Sequence, residues 1–358
     1  MTNTSTTVPA YRSPGTSLSR TCLPALVPSC QEKGQVPGSD FPKETTTQGI
    51  RTQPRHIVTF DLEEHFHASR FDSPMRRRHW PSFPSRIHTN VAQILELLAQ
   101  RSTKATFFTL GLLAEQHPSV IHAVSAAGHE IACLGYGHEL VAAQTPQSFR
   151  QDIHRAKGIL EDITGHQVVG FRAPSLSITA HTPWALPIVA EEGFLYDSSV
   201  LPIVHDLAGI PGANRWIHRI SWEERSLWEI PPSTLNVGGF RMVIGGGGYL
   251  RALNYPVLKS LLSRIEALDQ PIVVYMRSWE IDTAQPRMRG PLLSTFRHYF
   301  NLDKTACRLD RLLTDFHFGS VREVVLPIRE EARSASAQAI PAQPEETTIL
   351  SLPRLTTV

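Results

Sequence analysis

The 358-residue chain has only four cysteines, Cys22, Cys30, Cys133 and Cys307. None stands in a CxxC pair, so the clustered spacing of a disulfide framework or a structural zinc knuckle is missing. An excess of one charge is missing too, since 35 Lys+Arg against 33 Asp+Glu leaves a formal net charge of +2. Such a balance gives no field to hold nucleic acid and no acidic tail for a basic partner. Long hydrophobic runs are also absent. The apolar stretches are strand-sized or amphipathic, short of the ~18 residues that span a bilayer, so no membrane span is expected. Near the N-terminus the one candidate signal core, residues 23–27, is interrupted by Pro24 and lacks the ~7 apolar residues of a secretory signal. A cytoplasmic location is the resulting expectation.

What is present divides the chain into a long middle and two tails. The first 50 residues hold 15 Ser/Thr and 6 Pro without hydrophobic periodicity. Such a segment buries too little apolar surface to offset its ordering entropy, so 1–53 and the Ala/Ser/Gln/Pro/Thr-rich 331–358 are expected to be disordered. The middle opens with His56-Ile57-Val58-Thr59-Phe60, a β-branched run that reads as a buried strand, and runs into the acidic cluster Asp61-Leu62-Glu63-Glu64. Helix-spaced Val91, Ile94, Leu95, Leu97 and Leu98 follow, with Asn90 as a plausible cap. Strands are then expected at 105–110, 129–132, 168–171, 194–197 and 271–276, separated by helices over 112–126, 147–164, 183–192 and 254–268. Leu309, Leu312, Leu313 and Phe316 mark one more amphipathic helix. Repeated β-then-α units imply a parallel sheet, open or closed into a barrel, with chemistry at the C-terminal strand ends.

Seven segments in order carry a resemblance. They are Thr59-Phe60-Asp61-Leu62-Glu63-Glu64-His65-Phe66, Ala105-Thr106-Phe107-Phe108, Gly128-His129-Glu130-Ile131-Ala132, Gly135-Tyr136-Gly137-His138, Gly170-Phe171-Arg172-Ala173-Pro174-Ser175, Tyr196-Asp197-Ser198-Ser199 and Trp279-Glu280-Ile281-Asp282. Together they resemble the polysaccharide deacetylases (NodB homology, carbohydrate esterase family four), and more narrowly the bacterial branch associated with exosortase and exopolysaccharide genes. The resemblance implies an α/β fold, a distorted (β/α)7 barrel, with the NodB-type domain at 54–284 and a family-specific C-terminal extension at 285–330. It also implies an amino-sugar polysaccharide or oligosaccharide as substrate, a divalent metal (zinc, cobalt or nickel), and exopolysaccharide assembly proteins as partners. Hydrolysis of the N-acetyl group would use the cation to polarise amide and water, with an Asp as base and a His as acid.

Carried over residue by residue, Asp61 matches the base, Glu63 the metal carboxylate, with Glu64 less suited, and His138 the second metal histidine. Arg172 matches the arginine that orients the base, a task suited to its planar guanidinium. Tyr136 and Trp279 are candidate sugar platforms. His65, His67 and His129 read as structural, and the glycine run 245–248 as a flexible loop over the groove.

Two departures oppose this pattern. The first metal histidine belongs four residues before His138, where this chain has Leu134, which carries no donor atom. Cys133 could substitute only if the loop slipped by one residue. The acid histidine of the late strand is Arg277, and arginine does not exchange its proton in the relevant pH range. With an imidazole lost, two carboxylates would face each other uncompensated, so Arg277 is expected to pair with Asp61 or Glu63 in a site without metal. The readings are therefore an active or weakly active deacetylase, or a catalytically silent homologue that binds polysaccharide or a partner in exopolysaccharide biosynthesis.

Overall fold

A strand buried on both faces reads as a near-continuous apolar run, and β1 (His56–Leu62) is buried at every position. It belongs to a computed structural model that describes residues 55–68, 79–203, 208–222 and 225–325. The tails expected at 1–53 and 331–358 lie outside the described residues.

The remaining strands are β2 (Thr106–Thr109), β3 (Glu130–Cys133), β4 (Gly170–Phe171), β5 (Tyr196–Asp197), β6 (His218–Trp222), β7 (Arg225–Glu229), β8 (Leu235–Val237), β9 (Phe240–Met242), β10 (Val273–Arg277) and β11 (Phe318–Gly319). The main sheet runs β10-β1-β2-β3-β4-β5-β7-β6, with β11 also beside β1. From β10 to β7 every pairing is parallel, while β6 pairs with β7 antiparallel. This is the parallel α/β architecture the sequence predicts. Among the described residues no strand ladder joins β7 to β10. In that gap the Ser233 amide donates to the Val273 carbonyl (3.0 Å) and the Tyr275 amide to the Gly245 carbonyl (2.9 Å), so single bonds line the outer edge of β10.

Helices cover the sheet much as the periodicity predicts, including Pro146–Thr164, Tyr255–Glu266 and Thr305–Asp315. The predicted helix over 112–126 is two helices, Gly111–Gln116 and Pro118–Ala126, because Pro118 starts a new first turn. Asn90 is not a cap. The helix begins three residues earlier, at Ile87–Gln100, and Asn90 lies buried within it. The two hairpins, β6-β7 and β8-β9, are absent from the sequence expectations.

The glycine run is a packed segment, not a flexible loop. A Cβ at Gly245 would strike the Val273 carbonyl oxygen, and one at Gly247 would strike the Glu280 carboxylate, so close approach requires glycine at both. At the other end of the sheet, Glu130 ties distant segments together. It accepts from Thr106 Oγ1 (2.7 Å), Tyr196 Oη (3.0 Å) and the Arg322 amide (2.9 Å), and the Val321 amide donates to Thr106 Oγ1 (2.8 Å).

Candidate active site

Alternation along β1 turns Asp61 and Glu63 to one face at the strand's C-terminal end, and sends Glu64 elsewhere. Asp61 lies opposite Arg277 in the β1-β10 register. The three acidic residues then take three different environments.

Asp61 is held by Arg172. The Arg172 Nη1 donates to Asp61 Oδ1 (2.7 Å) and Thr59 Oγ1 (2.9 Å), its Nε to the Ser198 carbonyl (3.1 Å) and its Nη2 to Ser198 Oγ (2.7 Å). Arg172 is fully buried, its guanidinium 3.9 Å from the Phe108 ring centroid. Burial raises the Asp61 pKa, Arg172 opposes the rise without cancelling it, and the Glu63 charge adds to it. Behind Arg172, Ser198 Oγ donates to the Ile230 carbonyl (2.7 Å) and Ser199 Oγ to Asp197 Oδ1 (2.6 Å). Asp197 is buried opposite Glu229 on β7. Burial raises both carboxyls, Glu229 well above its ordinary value, where the Asp197 charge adds to the rise.

Glu63 is saturated. Its Oε1 receives the Arg277 Nε (2.9 Å) and the Trp279 Nε1–H (3.0 Å), and its Oε2 lies 2.9 Å from His138 Nε2. Burial works to raise its pKa. The hydrogen bond and charge of His138, the charge of Arg277 and the Trp279 donor outweigh that and bring the carboxyl down to about 2. His138 has a left-handed backbone (φ 57°) and stacks on His67 at 5.7 Å.

Glu64 faces away and caps a helix. Its carboxylate accepts from Ser85 Oγ and from the amides of Arg86 (3.0 Å) and Ile87 (3.2 Å). These are the orphan donors at the N-terminus of the helix Ile87–Gln100, where a negative charge is favourable.

Of the residues singled out from the sequence, Asp61, Glu63, His138, Arg172, Arg277 and Trp279 come together. Trp279 is 3 % exposed, stacked on His298 at 4.0 Å and bonded to Glu63, and it is among the residues that line the neighbouring cleft. Tyr136 is not brought to the group. Its hydroxyl donates to Glu115 Oε2 (2.8 Å) and Arg155 covers its ring at 3.7 Å. His129 Nδ1 accepts from the Ala105 amide (3.2 Å), the structural role expected of it. Cys133 is buried, accepts from the Gly135 amide (3.3 Å) through its sulfur, and is kept protonated by burial. Thr59, Ser278, Glu229 and Glu280 were not singled out. Ser278 bonds to the Glu63 backbone at both its amide (3.1 Å) and its carbonyl (2.7 Å), and no motif signals such a serine.

Beside this group lies a cleft of about 570 Å³, lined among others by Tyr249, Tyr275, Arg277, Phe296, Arg297 and Phe300. Arg277 reaches its surface, its side chain 26 % exposed.

The donor set does not fit a divalent cation. Leu134, 1 % exposed, brings no lone pair. Both Glu63 oxygens are engaged by protein donors, Cys133 remains a thiol, and Asp61 Oδ1 is held by Arg172. Among the described residues no group of three or more His, Cys, Asp or Glu is arranged to hold a metal ion.

Residues 71–190 match the family "Polysaccharide deacetylase", and residues 198–326 match a "Domain of unknown function (DUF3473)". The polysaccharide deacetylase match thus covers about a third of the chain. It is 33 % identical over 112 residues to a peptidoglycan deacetylase-like protein of Gibberella zeae, covering 31 % of this chain and 32 % of the relative. It is also 33 % identical over 82 residues to the peptidoglycan-N-acetylglucosamine deacetylase of Bacillus cereus, covering 23 % and 30 %. The chain thus spans about a third of the length of these curated relatives. In fold it is similar to a Mycobacterium smegmatis crystal structure assigned as a polysaccharide deacetylase, with a TM-score of 0.51, 20 % identity, and coverage of 84 % of this chain and 97 % of that one.

Proposed function

We propose that this chain is a carbohydrate-binding member of the polysaccharide deacetylase family that does not carry out metal-dependent N-deacetylation. Its ligand is an amino-sugar polysaccharide or oligosaccharide, and its setting, following the sequence resemblance, is exopolysaccharide assembly. The observation that carries this reading is the state of Glu63, the carboxylate matching the metal ligand. Arg277, Trp279 and His138 occupy both of its oxygens. A fixed guanidinium supplies the positive charge that would otherwise come from a cation, and it stands where the family's acid histidine belongs. The Asp61–Arg172 pair is intact, but without an electrophile and an acid it has no water to activate and no leaving amine to protonate.

The test pairs elemental analysis with acetate release from an N-acetylglucosamine oligomer and calorimetric titration of the same oligomer. The wild type is expected to be metal-free and inert while still binding sugar. The Leu134→His/Arg277→His double variant is expected to take up about one equivalent of zinc, cobalt or nickel. It should release acetate at least ~10²-fold faster, in line with the ~10²- to 10⁴-fold typical of one general acid. Stoichiometric metal and acetate release in the wild type would overturn the reading, and so would an absence of sugar binding.

A further inference from the structure

Six large apolar residues are exposed among the described residues, and three of them, Leu292 (89 %), Leu293 (60 %) and Phe296 (59 %), lie in the helix Leu292–Tyr299. At about 100° per residue these three positions fall within one arc of roughly 100°, so they form one outward stripe. Contiguous exposed apolar side chains on an otherwise ordinary surface mark a contact site.

The helix cannot roll to bury them, because its other side is anchored. His298 stacks on Trp279 (4.0 Å), and the Tyr299 hydroxyl donates to the Pro286 carbonyl (3.2 Å) and accepts from the Met288 amide (2.6 Å). At the C-terminal end, the buried Arg251 Nη1 donates to the carbonyls of Arg297 (3.2 Å), His298 (3.0 Å) and Phe300 (2.9 Å), while its Nη2 holds Glu280 (3.0 Å).

Charge decides what the stripe faces. Exposed Arg287, Arg289 and Arg297 lie close to it in the chain, Arg287 with its guanidinium 4.4 Å from the Tyr299 ring centroid, and between Asp282 and Asp303 the chain has no acidic residue at all. Exposed leucines and a phenylalanine in an arginine-rich segment without acidic residues are the composition of an interfacial helix that enters the headgroup layer of an anionic bilayer. A second copy of this chain fits poorly, because a self-paired contact would set the three arginines against their own counterparts.

We propose that the helix Leu292–Tyr299 and the arginine-rich segment before it dock the protein on an anionic lipid surface, with Leu292, Leu293 and Phe296 inserted and Arg287 and Arg297 on the lipid phosphates. No described helix is long and apolar enough to cross a membrane, so the contact is peripheral. Phe296, Arg297 and Phe300 also line the cleft, so docking places the cleft mouth at the bilayer, within reach of a glycan anchored there. The proposal does not depend on whether the site hydrolyses its ligand.

The test is flotation of the full chain with vesicles of phosphatidylcholine alone or of phosphatidylcholine and phosphatidylglycerol at 3:1, in low and high salt. The wild type should float with the phosphatidylglycerol vesicles and be released by salt. Leu292→Ser/Leu293→Ser/Phe296→Ser, and separately Arg287→Gln/Arg297→Gln, should each weaken binding at least about tenfold. Phe240→Ser, an exposed apolar position elsewhere, should leave it unchanged. The arginine variant keeps the test open if the triple variant misfolds. Failure to float, equal binding to both vesicle types, or wild-type dimers that the triple variant converts to monomers would overturn the proposal.

Discussion

At the scale of single residues, the site is governed by which polar atom is left over once every donor has been placed. Arg172 leaves none. Its four hydrogen bonds fall on Asp61, Thr59 and Ser198, all buried, so Arg172→Met would strand several acceptors in a dry environment. The expected loss is about 3–5 kcal/mol, read from urea unfolding at pH 7. His129 makes a separate prediction about acidity. Burial first, and then the charge of Lys104, lower its pKa from 6.5 to about 4. Between those two values the unfolded chain binds a proton that the folded chain refuses. Stability is therefore fully present above pH 6.5, falls as pH drops toward 4, and the loss levels off below that. His129→Gln should lose less of its urea midpoint between pH 7 and pH 5 than the wild type does, and an equal loss would contradict this account.

At the scale of elements, the informative feature is how β10 is seated. One side pairs in register with β1, and the other is covered by single bonds from Ser233 and Gly245 rather than by a full strand. That outer seam works only because glycine lets the backbone approach. Gly245→Ala would drive a methyl group onto the Val273 carbonyl and within 2.9 Å of the Ser233 amide. A cost of about 1–3 kcal/mol is expected, seen as a lower midpoint in thermal unfolding, with Arg277 displaced from Glu63 as the strand shifts. The elements themselves were legible where the periodicity was strong: β1, β10 and the helix Pro146–Thr164 lie within two residues of expectation. The β6-β7 hairpin was not, because its half-exposed HRISW and RSLWE strands lack an apolar run and carry no Asn-Gly or Gly-Gly turn.

At the scale of the whole molecule, the two family matches divide the sequence but not the structure. Arg172 and His138 lie in residues 71–190, Arg277 and Trp279 in residues 198–326, and Asp61 and Glu63 precede both. β1 sits between β2 and β10, and β11 returns beside it, so the C-terminal half completes the sheet that the N-terminal half begins. Separately expressed fragments 55–197 and 198–325 are therefore expected to lack cooperative thermal transitions by circular dichroism, and a sharp transition in either would show an independent domain. Hydrogen exchange on the intact chain should find β1 and β10 protected to the same free energy, as members of one cooperative unit.

The sequence by itself determined the alternating β/α order and the strand that carries Asp61 and Glu63, and by resemblance it marked Leu134 and Arg277 as departures from the family's pattern. Those are matters of local pattern and of side-chain type, which the chain displays without being folded. Only the tertiary structure decided the partners. Nothing local distinguishes Glu63 from Glu64, yet one is clasped by residues up to 216 positions away while the other caps a nearby helix. Nor does the sequence choose between Asp61 and Glu63 for Arg277. The choice follows because Arg172, buried behind β1, has already taken Asp61, leaving the Arg277 Nε to meet Glu63.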